Sequence, residues 1–391
     1  MLKLLKGLSF LVVFCYSSVS LSGSVMEGFA DPSDGMFDVS EFLASKQGFL
    51  PIPILITEPA VGYGAGVAVG YFHDKLSGKE VYEPNMDKSK SGRRVPPSMT
   101  GAAIAGTENG TRIAGLMHFG VWDNDNIRYT GILGHSKINM QFYGLDGGSG
   151  SGASQPVKFS TKANALLQKI LFRAGQSDLF IGPKYIYLGT ETEFDTSFIP
   201  IPGLPNVNVA ETSAGLGLVL EYDSRNSIFS PDHGISAGIE ALAYRDAWGS
   251  DEEFNKYDMR VLYYTPLVKT LYLGLRGDAK ILDGKAAFYE YPFIDLRGIP
   301  VMRYQGEQVL VGEAELRWDV TPRWSAVLFG GAGVTKSPDL GFSESGTILS
   351  KGVGFRYFVA RRLGLRIGID IASGPEDTAF YITVGSAWGR F

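Results

Sequence analysis

Residues 271–281 read Leu-Tyr-Leu-Gly-Leu-Arg-Gly-Asp-Ala-Lys-Ile, and their alternation decides the fold. Successive side chains of a β-strand face opposite sides. One face then carries Leu271, Leu273, Leu275, Gly277, Ala279 and Ile281; the other carries Tyr272, Gly274, Arg276, Asp278 and Lys280. The pattern recurs on both sides of this stretch. Residues 310–320 set Leu310, Gly312, Ala314, Leu316, Trp318 and Val320 against Val311, Glu313, Glu315, Arg317 and Asp319. Residues 363–371 set Leu363, Leu365, Ile367, Ile369 and Ile371 against Gly364, Arg366, Gly368 and Asp370. Residues 214–223 repeat it, with Glu221 and Asp223 on the polar side. A soluble β-sandwich also alternates. Here the segments are long, numerous and continue to the last residue, and their polar faces mix both signs of charge with glycine. Lipid-facing apolar residues and lumen-facing polar ones, in segments of about ten, are the pattern of a transmembrane β-barrel.

Composition agrees. The 391 residues include 50 Gly, 24 Phe and 19 Tyr, and Phe and Tyr suit pleated strands while so much Gly weakens helices. Past the N-terminus no apolar run reaches the ~18 residues of a transmembrane helix. Lys3 and Lys6 precede an apolar core, Leu8 to Val13 and on to Tyr16, and then Ser17, Ser18, Ser20, Ser22 and Gly23. That is a secretory signal peptide, with cleavage expected after Ser20, Gly23 or Ala30. The expected organisation is a signal over 1–30, a short periplasmic leader over 31–49, and an outer-membrane barrel over 50–391. In the leader, Asp38 or Ser40 is placed to cap a short helix that Gly48 would end.

Cys15 is the only cysteine and leaves with the signal, so neither a disulfide scaffold nor a thiolate metal site is expected. His73, His118, His135 and His233 lack zinc-site spacing. No metal and no cofactor are expected. With 36 Lys plus Arg against 41 Asp plus Glu, a net charge of −5, the chain does not read as a nucleic-acid binder. Residues 147–152, Gly-Gly-Ser-Gly-Ser-Gly, miss the G-x-S-x-G nucleophile elbow and read as a flexible outer loop. Residues 62–66, Gly-Tyr-Gly-Ala-Gly, miss the dinucleotide fingerprint and open a strand. No enzyme is expected.

The alternation marks sixteen strands, near 50–57, 62–74, 98–107, 111–122, 127–144, 157–174, 177–191, 209–223, 235–247, 254–267, 270–283, 309–320, 324–335, 348–359, 363–373 and 378–390. Glu108-Asn109-Gly110 reads as a hairpin turn within this series. An even count puts both termini in the periplasm. Gly175-Gln176, Val268-Lys269 and 321–323 become short periplasmic turns, while 145–156, 192–208, 284–308 and 336–347 become longer external loops. Residues 75–97, with Lys75, Lys79, Lys88, Lys90, Arg93 and Arg94, make an unusually long periplasmic connection. They read as a solvated charge run, and the count around them stands open by one hairpin.

Asp295-Leu296-Arg297-Gly298-Ile299-Pro300 resembles the (V/I)RG(F/Y) motif of the bacterial surface antigen superfamily, which holds the BamA/TamA assembly-factor barrels and the two-partner secretion transporters. Taken alone, Arg297-Gly298 reads as an exposed turn. Its position in the motif order favours a different place, for 284–308 falls between strands eleven and twelve, where the family carries a loop folded into the lumen. The resemblance implies that Arg297 pairs with acidic residues of the inner wall. Asp223, Arg225, Asn226, Pro231 and Gly234 resemble the family's D-x-R-x-N-x-x-x-P-x-x-G turn, with the asparagine one place early. Residues 313–318 resemble its twelfth strand, 366–372 a later one, and Phe391 its C-terminal barrel signal.

Two departures stand out. Between Ala30 and Leu50 there is no room for the family's N-terminal POTRA domains. Gly331 stands where the family's F-x-D-x-G places an acid, so Glu315, Glu313 or Asp370 must serve Arg297, with Glu315 first and Asp370 second. An arginine suits such a lock because its planar fork meets a carboxylate with two parallel hydrogen bonds. Gly298 lets the backbone turn tightly beside the wall, and Pro300 stiffens the exit.

The resemblance implies an outer-membrane barrel that assists protein insertion or translocation through a seam joining residues 50–57 to 381–391, where Gly385 and Gly389 weaken the pairing. Its implied partners are outer-membrane lipid, the assembly machinery that inserts the barrel itself, and an unfolded polypeptide client; the oligomeric state stays open. The competing reading, favoured by the missing POTRA domains, is a passive pore or structural barrel with no protein client.

Overall fold

The computed structural model describes residues 9–10, 29–45, 47–75, 79–81, 93–143, 156–195, 207–337, 341–342 and 346–388. Sixteen antiparallel strands form the wall. They are β1 Gly48–Glu58, β2 Gly62–Phe72, β3 Met99–Thr107, β4 Arg112–Trp122, β5 Ile127–Phe142, β6 Val157–Arg173, β7 Leu179–Phe194 and β8 Val207–Asp223. Then follow β9 Gly234–Tyr244, β10 Phe254–Val268, β11 Leu271–Gly284, β12 Gln308–Asp319, β13 Trp324–Lys336, β14 Ile348–Ala360, β15 Leu365–Ser373 and β16 Thr378–Val384. Each strand pairs with the next in sequence, from β1–β2 round to β15–β16. Among the described residues, the seam between β16 and β1 carries no such continuous register. Instead the backbone of Ser9–Phe10 lies antiparallel against β1, with Ser9 opposite Leu55 and Phe10 opposite Ile54.

The alternation read from the sequence is the alternation of the wall. Ile104, Leu116, Leu133, Ile181, Leu218, Ile239, Val261, Leu310, Leu328, Val353 and Ile371 point outward and are exposed. A continuous apolar belt of this kind is stable only when lipid covers it. Trp122, Tyr222, Tyr263, Trp318 and Trp324 sit outward near the periplasmic strand ends, the usual place of an aromatic girdle. The inward residues Arg260, Arg276, Asp278, Glu313, Arg356, Arg366 and Asp370 are buried in the lumen. Strands β5 to β8 are 16 or 17 residues long. At ~3.3 Å per residue they outreach an apolar band of ~25 Å, so their polar upper ends stand clear of it.

The boundaries differ most from the sequence reading at the last strand and in the leader. The last strand ends at Val384, not 390, because Gly385 takes φ +75° and the chain turns inward there. The leader helix covers only Ser40–Ala44, while Gly48 opens β1 instead of ending the helix. The helix N-cap is Val39, with no side-chain cap, so neither Asp38 nor Ser40 caps it; Asp38 Oδ1 accepts the Ser40 amide at 2.6 Å. Within 75–97, Lys79–Val81 pairs with Arg93–Val95 as a small hairpin outside the wall, so the count stays at sixteen. At 108–110 the hairpin turn is formed, with Gly110 at φ +86° and Asn109 Oδ1 accepting the Thr111 amide at 3.0 Å. The glycine-serine run 147–152, Gly389 and Phe391 lie outside the described residues.

Candidate functional site: a lumen clamp, a periplasmic turn and the seam

Residues 285–307 leave β11 and return at β12, and their apolar side chains pack on the inner face of the wall. Ile294, Leu296 and Ile299 are buried against Val309 and Val311. From this loop Arg297 reaches three carboxylates. Its Nε and Nη2 both donate to Glu313 Oε1, at 2.9 and 2.7 Å. Its Nη1 donates to Asp370 Oδ2 at 2.8 Å and forms an ion pair with Glu315 Oε2 at 2.8 Å. The guanidinium lies 3.4 Å from the centroid of the Phe329 ring, a cation–π contact that desolvation strengthens.

All three acids considered for Arg297 thus converge on it, with Glu313 taking two of its donors. Gly331, which stands where an acid was expected, serves a different purpose. A Cβ there would lie 2.6 Å from Leu296 Cδ2, so the missing side chain is the space that Leu296 fills. Gly333 makes room for Ile294 in the same way. Gly298 has φ +86°, and a Cβ on it would come within 3.0 Å of the Gly374 amide nitrogen and the Ser373 carbonyl carbon. Only glycine fits that approach without strain.

Glu313 is a hub. Its second oxygen, Oε2, accepts from Arg276 Nη1 at 3.1 Å and from Trp388 Nε1 at 2.6 Å. Trp388 belongs to the segment that leaves the wall at Gly385, and it is buried beside Leu262 and Tyr264. One carboxylate therefore holds both the loop and the inward-turned end of the last strand. The loop also touches both seam strands. Gly298 N donates to Tyr381 Oη of β16 at 2.9 Å, and Val301 N donates to Glu58 Oε1 of β1 at 3.2 Å.

The turn between β8 and β9 is held by its own polar side chains. Asp223 accepts two parallel hydrogen bonds from Arg225, at 2.8 and 2.7 Å. Asn226 Oδ1 accepts the Asp232 and His233 amides at 2.9 and 3.2 Å. Gly234, at φ +110°, closes it, for a Cβ there would lie 2.5 Å from Ser224 O. Pro231 O accepts from Arg317 Nη1 at 3.5 Å, and Asp232 pairs with Arg317. The turn thereby reaches the inner wall, and Phe229 lies beside Gly385 of the seam.

One assembly escaped the sequence reading. Arg323, in the β12–β13 turn, is held by Asp38 at 2.6 Å, Asp34 at 2.7 Å and Asp31 at 2.9 Å. Arg361 pairs with Asp31, and Arg362 with Glu41. Val39 and Leu43 are buried against Leu50, Phe72, Val359 and Leu365. Residues 31–45 therefore tie the start of β1 to the turns after β12 and β14. The spacing Asp31, Asp34, Asp38 was the available signal, but nothing local names its partner.

Sixteen antiparallel strands, an outward apolar belt and a charged lumen define an outer-membrane type of β-barrel. Known structures bear this out at the level of fold. BamA from Haemophilus ducreyi, in a form lacking POTRA domains 1–3, superposes with a TM-score of 0.57 over 87% of this chain and 70% of its own, at 11% identity. CdiB from Acinetobacter baumannii gives 0.54 at 9% identity, and CdiB from Escherichia coli 0.56 at 8%, each over 86% of this chain. The chain spans 59% and 62% of those two CdiB structures. No protein-family model matches the sequence, and no curated protein matches it.

Proposed function

We propose that this barrel assists polypeptides to insert into, or cross, the bacterial outer membrane, working at the seam between β1 and β16. The observation that carries the reading is the seam itself. Fifteen neighbouring pairs are zipped along their length, while β16 stops after seven residues and its continuation folds inward to Glu313. An unpaired strand edge is a template for another strand, and the backbone of Ser9–Phe10 already lies against that edge. The fold shared with BamA and CdiB supports the same reading. Arg297 acts here as a structural lock: it fixes the loop whose residues 298–301 hold both seam strands from within.

The passive-pore reading is weaker on this geometry. The β8–β9 turn and residues 31–45 occupy the periplasmic side, and the loop bearing Arg297 packs across the lumen. Liposomes carrying the purified barrel and unfolded barrel clients test the choice. Accelerated client insertion is expected. Solute flux with no acceleration would overturn the proposal in favour of a pore.

A further inference from the structure

The seam edge of β1 is divided in two by its own sequence. In an antiparallel pair the N–H and C=O of one residue point to the same neighbour, and those of the next residue point the other way. His73 N donates to Ser98 O at 3.0 Å, and Glu108 N donates to Tyr63 O at 2.9 Å. Odd residues of β2 therefore face β3, and even ones face β1. The β1–β2 register pairs even with even, from Gly48 opposite Phe72 to Glu58 opposite Gly62. It follows that even residues of β1 bond β2, while Phe49, Pro51, Pro53, Leu55 and Thr57 point their backbone at the seam.

Pro51 and Pro53 thus lie on the one edge where a missing N–H costs the wall nothing. They also remove two successive donors from the periplasmic half of the seam. Leu55 and Thr57, towards the extracellular end, keep both donor and acceptor, and Leu55 is the residue opposite Ser9. The facing strand shows a matching division. Gly385 N donates to Arg366 O at 2.6 Å, so odd residues of β16 face β15, and Thr378, Phe380, Ile382 and Val384 face the seam. At Gly385, towards the periplasm, β16 leaves the wall. Near the extracellular end, Tyr63 stacks on Phe380 with ring centroids 5.4 Å apart.

We infer that Pro51 and Pro53 make β1 a half-length template: an added polypeptide strand bonds at Leu55 and Thr57, and the periplasmic half of the seam is kept from zipping. This rests on the client reading above and names the residues that set the register. The test uses the mature barrel with single cysteines at Phe49 or Thr57, and an unfolded barrel client with cysteines scanned along its strands. Client disulfides are expected at Thr57→Cys and not at Phe49→Cys. In the Pro51→Ala, Pro53→Ala double variant they should extend to Phe49→Cys. Client release should then slow roughly tenfold, as expected for two added neutral hydrogen bonds. Equal crosslinking at both positions in the parent barrel, or no extension in the double variant, overturns the inference.

A client-free measurement separates this from failure of the client reading. Disulfide formation between Phe49→Cys and Val384→Cys should be slow in the parent and faster in the double variant; unchanged rates overturn the template. Absence of client crosslinks everywhere, with the client-free difference intact, removes the client reading and leaves the proline-blunted edge standing.

Discussion

Arg297 and Arg323 are each held by three carboxylates, yet the two clamps are built in opposite senses. Arg297 sits on a loop and reaches acids fixed in the wall, and two of those acids, Glu313 and Asp370, are 1% and 0% exposed. Arg323 is fixed at a wall turn, and its acids come from a segment outside the wall, with Asp34 26% exposed. Removing the first arginine takes one of two cations from each of two carboxylates that water cannot easily reach, leaving Glu313 with Arg276 and Asp370 with Arg356, and the expected cost is bounded by the roughly 3–5 kcal/mol of other broken buried pairs. Removing the second lets Asp31 and Asp34, 17% and 26% exposed, turn to solvent, where lost ion pairs cost little, and leaves Asp38 as its single buried carboxylate. The same count of contacts therefore gives a deep lock in the lumen and a shallow clasp at the periplasmic end.

The largest expected effect is accordingly at Arg297. Arg297→Ala should lower the temperature at which the unboiled barrel loses its anomalous gel mobility. It should also expose 285–307 to protease and make bilayer conductance unsteady. Arg297→Lys should recover only part, since one ammonium cannot reproduce the two donors on Glu313 together with the bond to Asp370. An unchanged melting profile and silent bilayer traces would mean that the loop is held by its apolar packing alone. Gly298→Ala comes next. With φ +86° and backbone of Ser373 and Gly374 within 3.0 Å of a new Cβ, strain of about 1–3 kcal/mol is expected. Its signature is the same loop exposure at lower amplitude, and wild-type protection would show that the loop can shift without cost.

How much of this was legible in the sequence follows from how far each cause reaches. The strands were readable because period-two alternation is a local property, and a one-residue slip would turn every side chain to the wrong face. The end of β16 was not, because Trp388 leaves the wall for Glu313, 75 positions earlier. Arg297 stood out through its motif and its place between strands eleven and twelve. Which acid it prefers did not, because Glu313 and Glu315 lie two apart on the same strand face and only the loop's path separates them. Gly331 misled for a related reason: a missing acid and a space reserved for Leu296 look the same in one dimension. The Arg323 clasp was hidden altogether, since its partners lie 285 to 292 positions away.

The shallow clasp should also part from the lumen lock in its response to acid. Asp31 is held well below the usual carboxylate range, chiefly by the Ser33 hydroxyl and amide and then by Arg361. Asp34 is lowered mainly by its hydrogen bonds from Arg323. A carboxylate whose folded pKa is depressed contributes its full stabilisation above the ordinary value of 3.8 and loses it as pH falls from there through the depressed value. Near neutral pH, residues 29–45 should resist labelling and proteolysis. Below about pH 3.8 they should progressively become accessible, while the zipped wall keeps its gel mobility. Arg323→Ala should produce much of the same exposure at pH 7 and remove the part of the acid response that Asp34 carries, leaving the part set by Asp31 with Ser33 and Arg361. If residues 29–45 stay protected at pH 2 in the parent protein, burial of Val39 and Leu43 holds them, and the difference between the two clamps is one of hydrophobic contact instead of charge.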